Sequence, residues 1–254
     1  MKTQWAIFRV ALRQRRHQLL VLGSRLGLFA LVLFVFKQLW SVLLPGGAVS
    51  EHVWYLAITE WVTLSQPRVH LDIENDVRGG ELTYYLTRPV SYLSFRLAEA
   101  LAELLIGLAA TGVFGLLWAY FLAGGFPADP RGLLWALPLG LVAALLALLF
   151  HVVIGLSAFW LLDCSPVYWV WQKAMFVLGG LMLPLTLYPG WLRTLAQATP
   201  FAALLSGPGS LAFGLNLASV GTTALHLALW LAVAVLLVAV VYRRGVTRIE
   251  LHGG

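Results

Sequence analysis

The sequence predicts an all-α integral membrane protein with about six transmembrane helices. Of its 254 residues, 60% are hydrophobic and only 11% are charged, whereas soluble domains carry roughly 25% charged residues. Several stretches contain the roughly 20 mostly apolar residues that a helix needs to cross the hydrocarbon core of a membrane. A chain of this composition cannot cover itself with polar side chains in water, which excludes a soluble enzyme.

Six apolar segments, separated by Pro, Gly or charged residues, predict the membrane spans. The first segment ends at Pro45-Gly46-Gly47, the second is short, and Ser91 is the expected N-cap of the third. The six predicted spans cover residues 18–44, 51–66, 91–123, 133–162, 167–187 and 223–242.

The segment 1–17 predicts an amphipathic helix that lies at the membrane surface. Trp5 and Phe8 fall on one helical face, whereas Arg9 and Arg13 fall on another. Such a helix buries its aromatic side chains at the interface and turns its cations toward the phosphates of anionic lipids.

The segment 188–221 is moderately apolar, but Pro and Gly residues interrupt it. Each apolar piece is too short to cross the membrane. The sequence therefore predicts re-entrant or interfacial helices on the extracytoplasmic side, with Trp191 and Phe201 near the depth of the lipid head groups.

The distribution of Lys and Arg predicts the orientation. One side of the membrane receives only Arg131 and Arg193. Cytoplasmic loops carry the excess of Lys and Arg, so we expect both termini in the cytoplasm, which requires an even number of spans. The basic side contains the N-terminal arginines, Arg68, Arg78, Arg88, Arg96 and the C-terminal arginines.

The cytoplasmic loop 67–88 contains the most informative pattern. Val69, Ile73 and Val77 recur every four residues and form an apolar stripe on a short helix, which Gly79-Gly80 ends. A partner protein is expected to cover this stripe. The alternative is a helix that lies on the membrane, but anionic lipids would repel its three acids. The candidate contact residues are Val69, His70, Leu71, Asp72, Ile73, Glu74, Asn75, Asp76, Val77 and Arg78.

Several charged residues fall inside predicted spans, where a charge is costly and indicates a function or a partner. Arg25 lies at a depth similar to that of Glu99 and Glu103, which predicts a structural ion pair in preference to a substrate site. Glu60 lies near the middle of the second span and is the candidate for contact with a cationic substrate. The alternative for Glu60 is protonation or a hydrogen bond to a neighbouring helix.

The sequence lacks the motifs of several enzyme classes. A P-loop ends in Gly-Lys-Ser/Thr, but Lys2, Lys37 and Lys173 do not follow a glycine. The chain alone is therefore not expected to hydrolyse ATP. No cluster of Cys, His and Asp has the spacing of metal ligands, and no basic patch outside the membrane indicates binding of nucleic acid.

Two other classes of membrane protein fit the sequence less well. Gly155-Leu156-Ser157-Ala158 and His226 resemble the dyad of a rhomboid-type intramembrane serine protease, but Ala158 replaces the second glycine of that motif. A secondary transporter predicts internal repeats, which the sequence does not show.

Two runs of residues resemble ABC-2 type permeases, in the bacterial branch that includes drug and viologen exporters. The resemblance covers most of the chain and depends on the order of its motifs. The first run comprises Ile73-Glu74-Asn75-Asp76-Val77-Arg78-Gly79-Gly80-Glu81-Leu82 and Leu86-Thr87-Arg88-Pro89-Val90-Ser91, and the second comprises Gly179-Gly180, Pro184-Leu185, Tyr188-Pro189-Gly190-Trp191-Leu192, Thr199-Pro200-Phe201 and the terminal Gly253-Gly254.

The resemblance implies half of a type II exporter in the bacterial cytoplasmic (inner) membrane. In that family, two permease subunits pair, here identical or paralogous, and each docks on one of two copies of an ATPase subunit. Residues 69–78 would be the coupling helix. ATP and Mg would bind to the ATPase partner, and this chain would hold no cofactor of its own.

Overall fold

The structure is a computed structural model that describes residues 19–43, 49–81, 85, 91–161 and 163–252. These residues form helices joined by short connections, without strands among them. The surface helix predicted for residues 1–17 lies outside the described residues, as do residues 82–84 and 86–88 of the predicted cytoplasmic loop and the terminal Gly253-Gly254.

The helices are numbered here in chain order. They are α1 Leu19–Leu43, α2 Val49–Leu64, α3 Val69–Arg78, α4 Tyr92–Ala123, α5 Arg131–Leu156, α6 Ala158–Leu161, α7 Ser165–Leu178, α8 Gly190–Gln197, α9 Pro200–Leu204, α10 Ser206–Ser210 and α11 Leu217–His252. Two single turns of 3-10 helix, Leu185–Leu187 and Leu211–Phe213, precede α8 and α11.

Among the described residues, four helical stretches are long and apolar enough to cross a membrane, which confirms the predicted all-α integral membrane protein. They are Leu22–Leu43, Tyr92–Ala123, Arg131–Leu161 and Leu217–Thr247. The helices α2 and α7 have 16 and 14 residues. Their lengths of about 24 and 21 Å fall short of a hydrocarbon core of about 30 Å. The total of six spans stays a prediction.

The helix α7 ends at Leu178, whereas the sequence predicted a span over residues 167–187. The break follows from Gly179-Gly180, because Gly180 has a φ of 67°, a left-handed conformation that favours glycine. Pro184 follows and cannot donate a helical hydrogen bond. Between this break and α11, the described chain forms only short helices and turns.

The helix α11 is longer than the predicted span over residues 223–242. It begins early because the side chain of Asn216 accepts hydrogen bonds from the backbone N–H groups of Ala218 at 3.0 Å and Ser219 at 3.4 Å, which caps the helix. It continues past residue 242 because Arg is a good helix former and Arg243 and Arg244 extend it beyond the apolar part.

The helix α2 lies at the centre of the bundle. Every residue from His52 to Val62 is buried, because α1, α4, α5 and α10 surround this helix. A helix that protein encloses on all sides does not need the long apolar surface that a lipid-facing helix needs. This position explains why α2 contains polar side chains such as Thr59 and Glu60.

Side chains of α2 bind backbone carbonyl groups of the surrounding elements. Tyr55 donates its hydroxyl to the carbonyl of Gly180, and Thr59 donates to the carbonyl of Leu181 at 3.0 Å. Both acceptors lie in the break after α7, where no helical N–H group is available. The indole N–H of Trp61 likewise donates to the carbonyl of Leu108 on α4 at 2.9 Å.

Close contact between helices depends on glycines. A Cβ atom at Gly107 of α4 would lie 2.6 Å from the carbonyl oxygen of Ser65, just after α2. A Cβ atom at Gly155 of α5 would lie 2.9 Å from the Cα atom of His70 on α3. The absence of a side chain at these positions lets the backbones approach, as is common between membrane helices.

We expect Gly107→Ala to destabilise the bundle, because the new methyl group would push α4 away from the backbone at Ser65. Overpacking of this kind typically costs about 1–3 kcal/mol. The measurement is the melting temperature of the purified protein in detergent, which should fall. Gly27→Ala in α1 is the matched control, since no atom lies within 4 Å of its added Cβ. Equal melting temperatures for both variants would contradict this packing.

Candidate functional site at the helix Val69–Arg78

The apolar stripe of α3 is covered by the same chain. Val69 is 1% exposed, and Ile73 has no exposed surface at all, while Val77 packs against the edge of the same core. Contact with α5 covers this face, and Gly155 allows the close approach. The prediction that a partner protein covers Ile73 is therefore wrong, because α5 already occupies that position, whereas contact between a partner and the partly exposed Val77 stays a prediction.

Asp76 ties α3 to the beginning of α4. Its carboxylate is 3% exposed and accepts two hydrogen bonds from the guanidinium of Arg96, at 2.5 and 2.6 Å. The hydroxyl of Tyr92 donates a third hydrogen bond to it at 2.6 Å. A bidentate pair of this kind fixes both distance and orientation. Arg96 also binds Glu99 at 2.6 Å and so faces two carboxylates.

Glu74 ties α3 to the connection between α6 and α7. Its carboxylate accepts hydrogen bonds from the backbone N–H of Cys164 at 3.1 Å and from the thiol at 2.8 Å. Arg78 donates to the other carboxylate oxygen at 3.0 Å. The hydrogen bond from the Cys164 thiol lowers the pKa of Glu74, and burial together with Glu74 raises the pKa of the thiol to about 12. Cys164 therefore acts as a hydrogen-bond donor and not as a nucleophile.

His70 ties α3 to α7. Its ring stacks on the ring of Tyr168, with centroids 3.9 Å apart and planes inclined by 14°. Burial lowers the pKa of His70 to about 4, so the imidazole is neutral at pH 7. His151 of α5 lies against both rings, with its centroid 5.7 Å from that of His70.

The outward face of α3 is polar, and its residues recur at helical spacing. Arg68, Asn75 and Arg78 are exposed, and Leu71 and Asp72 are partly exposed. These positions recur at intervals of three or four residues, so they share one face of the helix. A partner that docks on α3 meets this face. The sequence pattern pointed to the opposite face, because an apolar stripe is the more visible signal.

Arg25 is half-buried on α1 and interacts electrostatically with Glu103 of α4. Glu99, the other predicted partner, forms an ion pair with Arg96. The structure thus brings Arg25 toward one of its two candidate carboxylates. The structural ion pair of Arg25 stays a prediction.

Glu60 is only 5% exposed in this chain. One of its carboxylate oxygens accepts a hydrogen bond from the hydroxyl of Thr63 at 3.2 Å, within α2. The carboxylate is therefore enclosed by the bundle in this conformation. Contact between Glu60 and a cationic substrate stays a prediction.

The structure does not assemble the dyad of a serine protease. The hydroxyl of Ser157 donates to the carbonyl of Ile154 at 2.6 Å. Near Ser157, the part of α11 that packs against the bundle is Gly245, which lies against the ring of Phe159. His226 precedes Gly245 by nineteen residues, about 28 Å along a helix. Ser157 and His226 are therefore too far apart to exchange a proton.

A comparison with known protein families agrees with this arrangement. The model of a family described as ABC-2 family transporter proteins matches residues 55–253. The match includes α3, the broken segment after α7 and all of α11. No curated protein matches the chain. Since the matched region is well over half of the sequence, the chain belongs to the ABC-2 family of transporter proteins and is a permease component of an ABC transporter, a family that associates with an ABC ATPase.

Proposed function

We propose that this chain is the transmembrane permease subunit of an ATP-driven exporter and forms half of its translocation pathway. In this proposal, α3 is the coupling helix and docks on a separate ATPase subunit. The observation that carries the proposal is the placement of α3. It lies at one end of the bundle. Its inward side contacts three other helices, and its outward face is polar.

The contacts that hold α3 to its neighbouring helices can transmit its movement to them. Asp76 connects α3 to α4, Gly155 lets it pack on α5, and His70 stacks on α7. A displacement of α3 is transmitted to these helices because packed interiors rearrange as units and do not deform continuously. ATP binding and hydrolysis on the partner would supply the energy, and Mg²⁺ would bind with the nucleotide there.

The proposed assembly contains two permease subunits, identical or paralogous, and two copies of the ATPase in the bacterial cytoplasmic (inner) membrane. Anionic lipids would neutralise the arginines on the cytoplasmic side. Both termini would lie in the cytoplasm, and this chain would have no enzymatic activity of its own.

Six spans are supported by the depth that α2 covers. Trp54, near the beginning of α2, donates to the carbonyl of Gly125 at 3.1 Å, just after the end of α4. Ser65, just after the end of α2, meets Gly107, sixteen residues before the end of α4. The sixteen residues of α2 are about 24 Å long, so a path beside α4 takes α2 through most of a hydrocarbon core of about 30 Å.

Labelling of single cysteines in intact cells tests this topology. Cysteine at Ala128 or Thr194 should react with a membrane-impermeant maleimide from outside, because both positions are exposed at the predicted extracytoplasmic end. Cysteine at Asn75 should react only after the membrane is permeabilised. The native Cys164 is buried and serves as the background control. Labelling of Ala128→Cys only from the cytoplasm would contradict the orientation, and labelling of Thr194→Cys only from the cytoplasm would contradict the crossing by α7.

We expect Asn75→Trp to abolish docking of the ATPase without unfolding the permease. A bulky ring at the centre of the outward face keeps two surfaces apart, whatever the charge of the partner. Asn75 is exposed, so the bundle does not have to rearrange. The measurement is co-purification of the ATPase, which should fall at least tenfold, beside the yield of folded permease, which should not change. Ala128→Trp places the same ring at the other end of the bundle and should retain the ATPase. Normal co-purification with Asn75→Trp would mean that α3 is not the docking element.

We expect Asp76→Asn to retain the ATPase but to reduce transport, because Asp76 faces inward and its partner Arg96 belongs to α4. Loss of one member of a buried pair typically costs about 3–5 kcal/mol, which loosens the tie between α3 and α4. The measurement is ATP hydrolysis by the complex beside transport. Hydrolysis should continue while transport falls. Glu81→Gln removes an exposed acid just beyond α3 and should alter neither. Unchanged transport with Asp76→Asn would exclude this tie from coupling.

A further inference from the structure

A cavity of about 280 Å³ lies at the end of the bundle opposite α3. It is formed where the turn Leu185–Leu187, α8 and α10 meet the first turns of α11. Asp129, in the connection between α4 and α5, accepts a hydrogen bond from the N–H of Leu215 at 3.1 Å. This bond places the beginning of α11, and therefore the cavity, at the same end of the bundle as that connection. The volume is near the lower limit of small-molecule sites, about 300–1,000 Å³. The cavity therefore suits a small ligand or the head group of a larger one.

Three helices turn polar faces toward this cavity. Along each helix, the polar side chains that line the cavity recur at intervals of three or four residues, which places them on a single face. They are Arg193 and Gln197 on α8, Ser206 and Ser210 on α10, and Ser219, Thr222, Thr223 and His226 on α11.

The cavity is electropositive. Among the described residues that line it, Arg193 carries a permanent positive charge, His226 contributes a ring N–H donor, and none is acidic. Asp129 lies nearby, but its carboxylate is engaged by Arg131 at 2.8 Å and by the N–H of Leu215. A ligand with negative charge therefore meets a cation without a competing carboxylate from the cavity wall.

The exposed face of α11 beside this polar stripe is apolar. Leu225 and Leu229 are 69% and 58% exposed, as expected of a helix that faces lipid. Polar groups in a membrane-crossing helix are costly and usually indicate a functional site. The polar stripe of α11 thus faces the cavity, and acyl chains can lie along the apolar face beside it.

The hydroxyl groups that line the cavity indicate which further functional groups a ligand would carry. Ser210 donates to the carbonyl of Gly207 at 2.9 Å, and Thr222 donates to the carbonyl of Ser219 at 3.1 Å. Their oxygen atoms keep free lone pairs, which accept hydrogen bonds. The cavity therefore combines a cation for an anionic group with acceptors for hydroxyl groups.

We propose that this cavity binds a glycerophosphate group, in which Arg193 pairs with the phosphate and the oxygens of Ser210 and Thr222 accept hydrogen bonds from the glycerol hydroxyls. His226 donates a further hydrogen bond to the phosphate. The group belongs either to the head of an anionic phospholipid or to a soluble glycerol phosphate. This binding does not depend on an ATPase and goes beyond the function proposed above.

The full-length protein is tested with both sources of the group. Phosphatidylglycerol is titrated into phosphatidylcholine nanodiscs that contain the protein, and glycerol 3-phosphate is titrated into the protein in detergent. Arg193→Gln should weaken binding about tenfold or more, since a charge-assisted hydrogen bond is lost. His226→Gln should weaken it less, and Arg193→Lys should restore part of it. Arg244→Gln is the matched control, because it removes the same charge from an exposed position at the other end of α11, outside the cavity.

The outcomes separate the sources and test the site. Arginine-dependent binding of phosphatidylglycerol alone supports a lipid head group, and arginine-dependent binding of glycerol 3-phosphate supports a soluble ligand. Absence of binding of either probe overturns the proposal. So does an equal loss of affinity in Arg193→Gln and Arg244→Gln, because the effect is then one of net charge. Arg193 is exposed, so its variants should keep the melting temperature of the unaltered protein, and this is measured beside each titration.

Discussion

The structure depends on the requirement that every backbone polar group inside a membrane finds a partner within the protein, because lipid offers none. The chain breaks its helical pattern after Leu178, which leaves the carbonyls of Gly180 and Leu181 without helical donors. Tyr55 and Thr59 of the central helix donate to these two groups. The central helix is therefore polar where the break needs donors, and its burial by the surrounding helices follows from that position. The short helices α9 and α10, after the break, pack against α11 and the central helix.

The predicted coupling helix satisfies a similar requirement with charges. Asp76 and Glu74 are nearly fully buried, and each is bound by several donors from other elements. Buried ion pairs are weak evidence of stability, since desolvation offsets much of the attraction. Their directional hydrogen bonds nevertheless fix one position of α3 relative to α4 and to the connection before α7. For the proposed coupling helix, a fixed position means that a displacement of α3 passes on to α4.

The sequence was sufficient to predict the fold class and the short helix, because both produce periodic patterns. Val69, Ile73 and Val77 indicate a helix with one buried face, and a helix is observed from Val69 to Arg78. The pattern could not show what covers that face, since an apolar stripe is the same whether a partner or α5 lies against it. The hydrogen bonds of Glu74 to Cys164 join residues ninety positions apart. A single cysteine and one acid among three carry no signal of that pairing.

The ties of α3 also determine how a docked partner can move it. A partner that displaced α3 alone would have to separate Asp76 from Arg96, which typically costs about 3–5 kcal/mol. It would also expose Ile73, whose burial is worth roughly 1.5–3 kcal/mol. Contact with the polar outward face offers little to offset these costs, since exposed polar pairs contribute about 0–1 kcal/mol each. Displacement of α3 together with the beginning of α4 avoids both costs. A force applied at Asn75 is therefore transmitted to the membrane helices, because the alternative is to break the contacts that hold α3 in place.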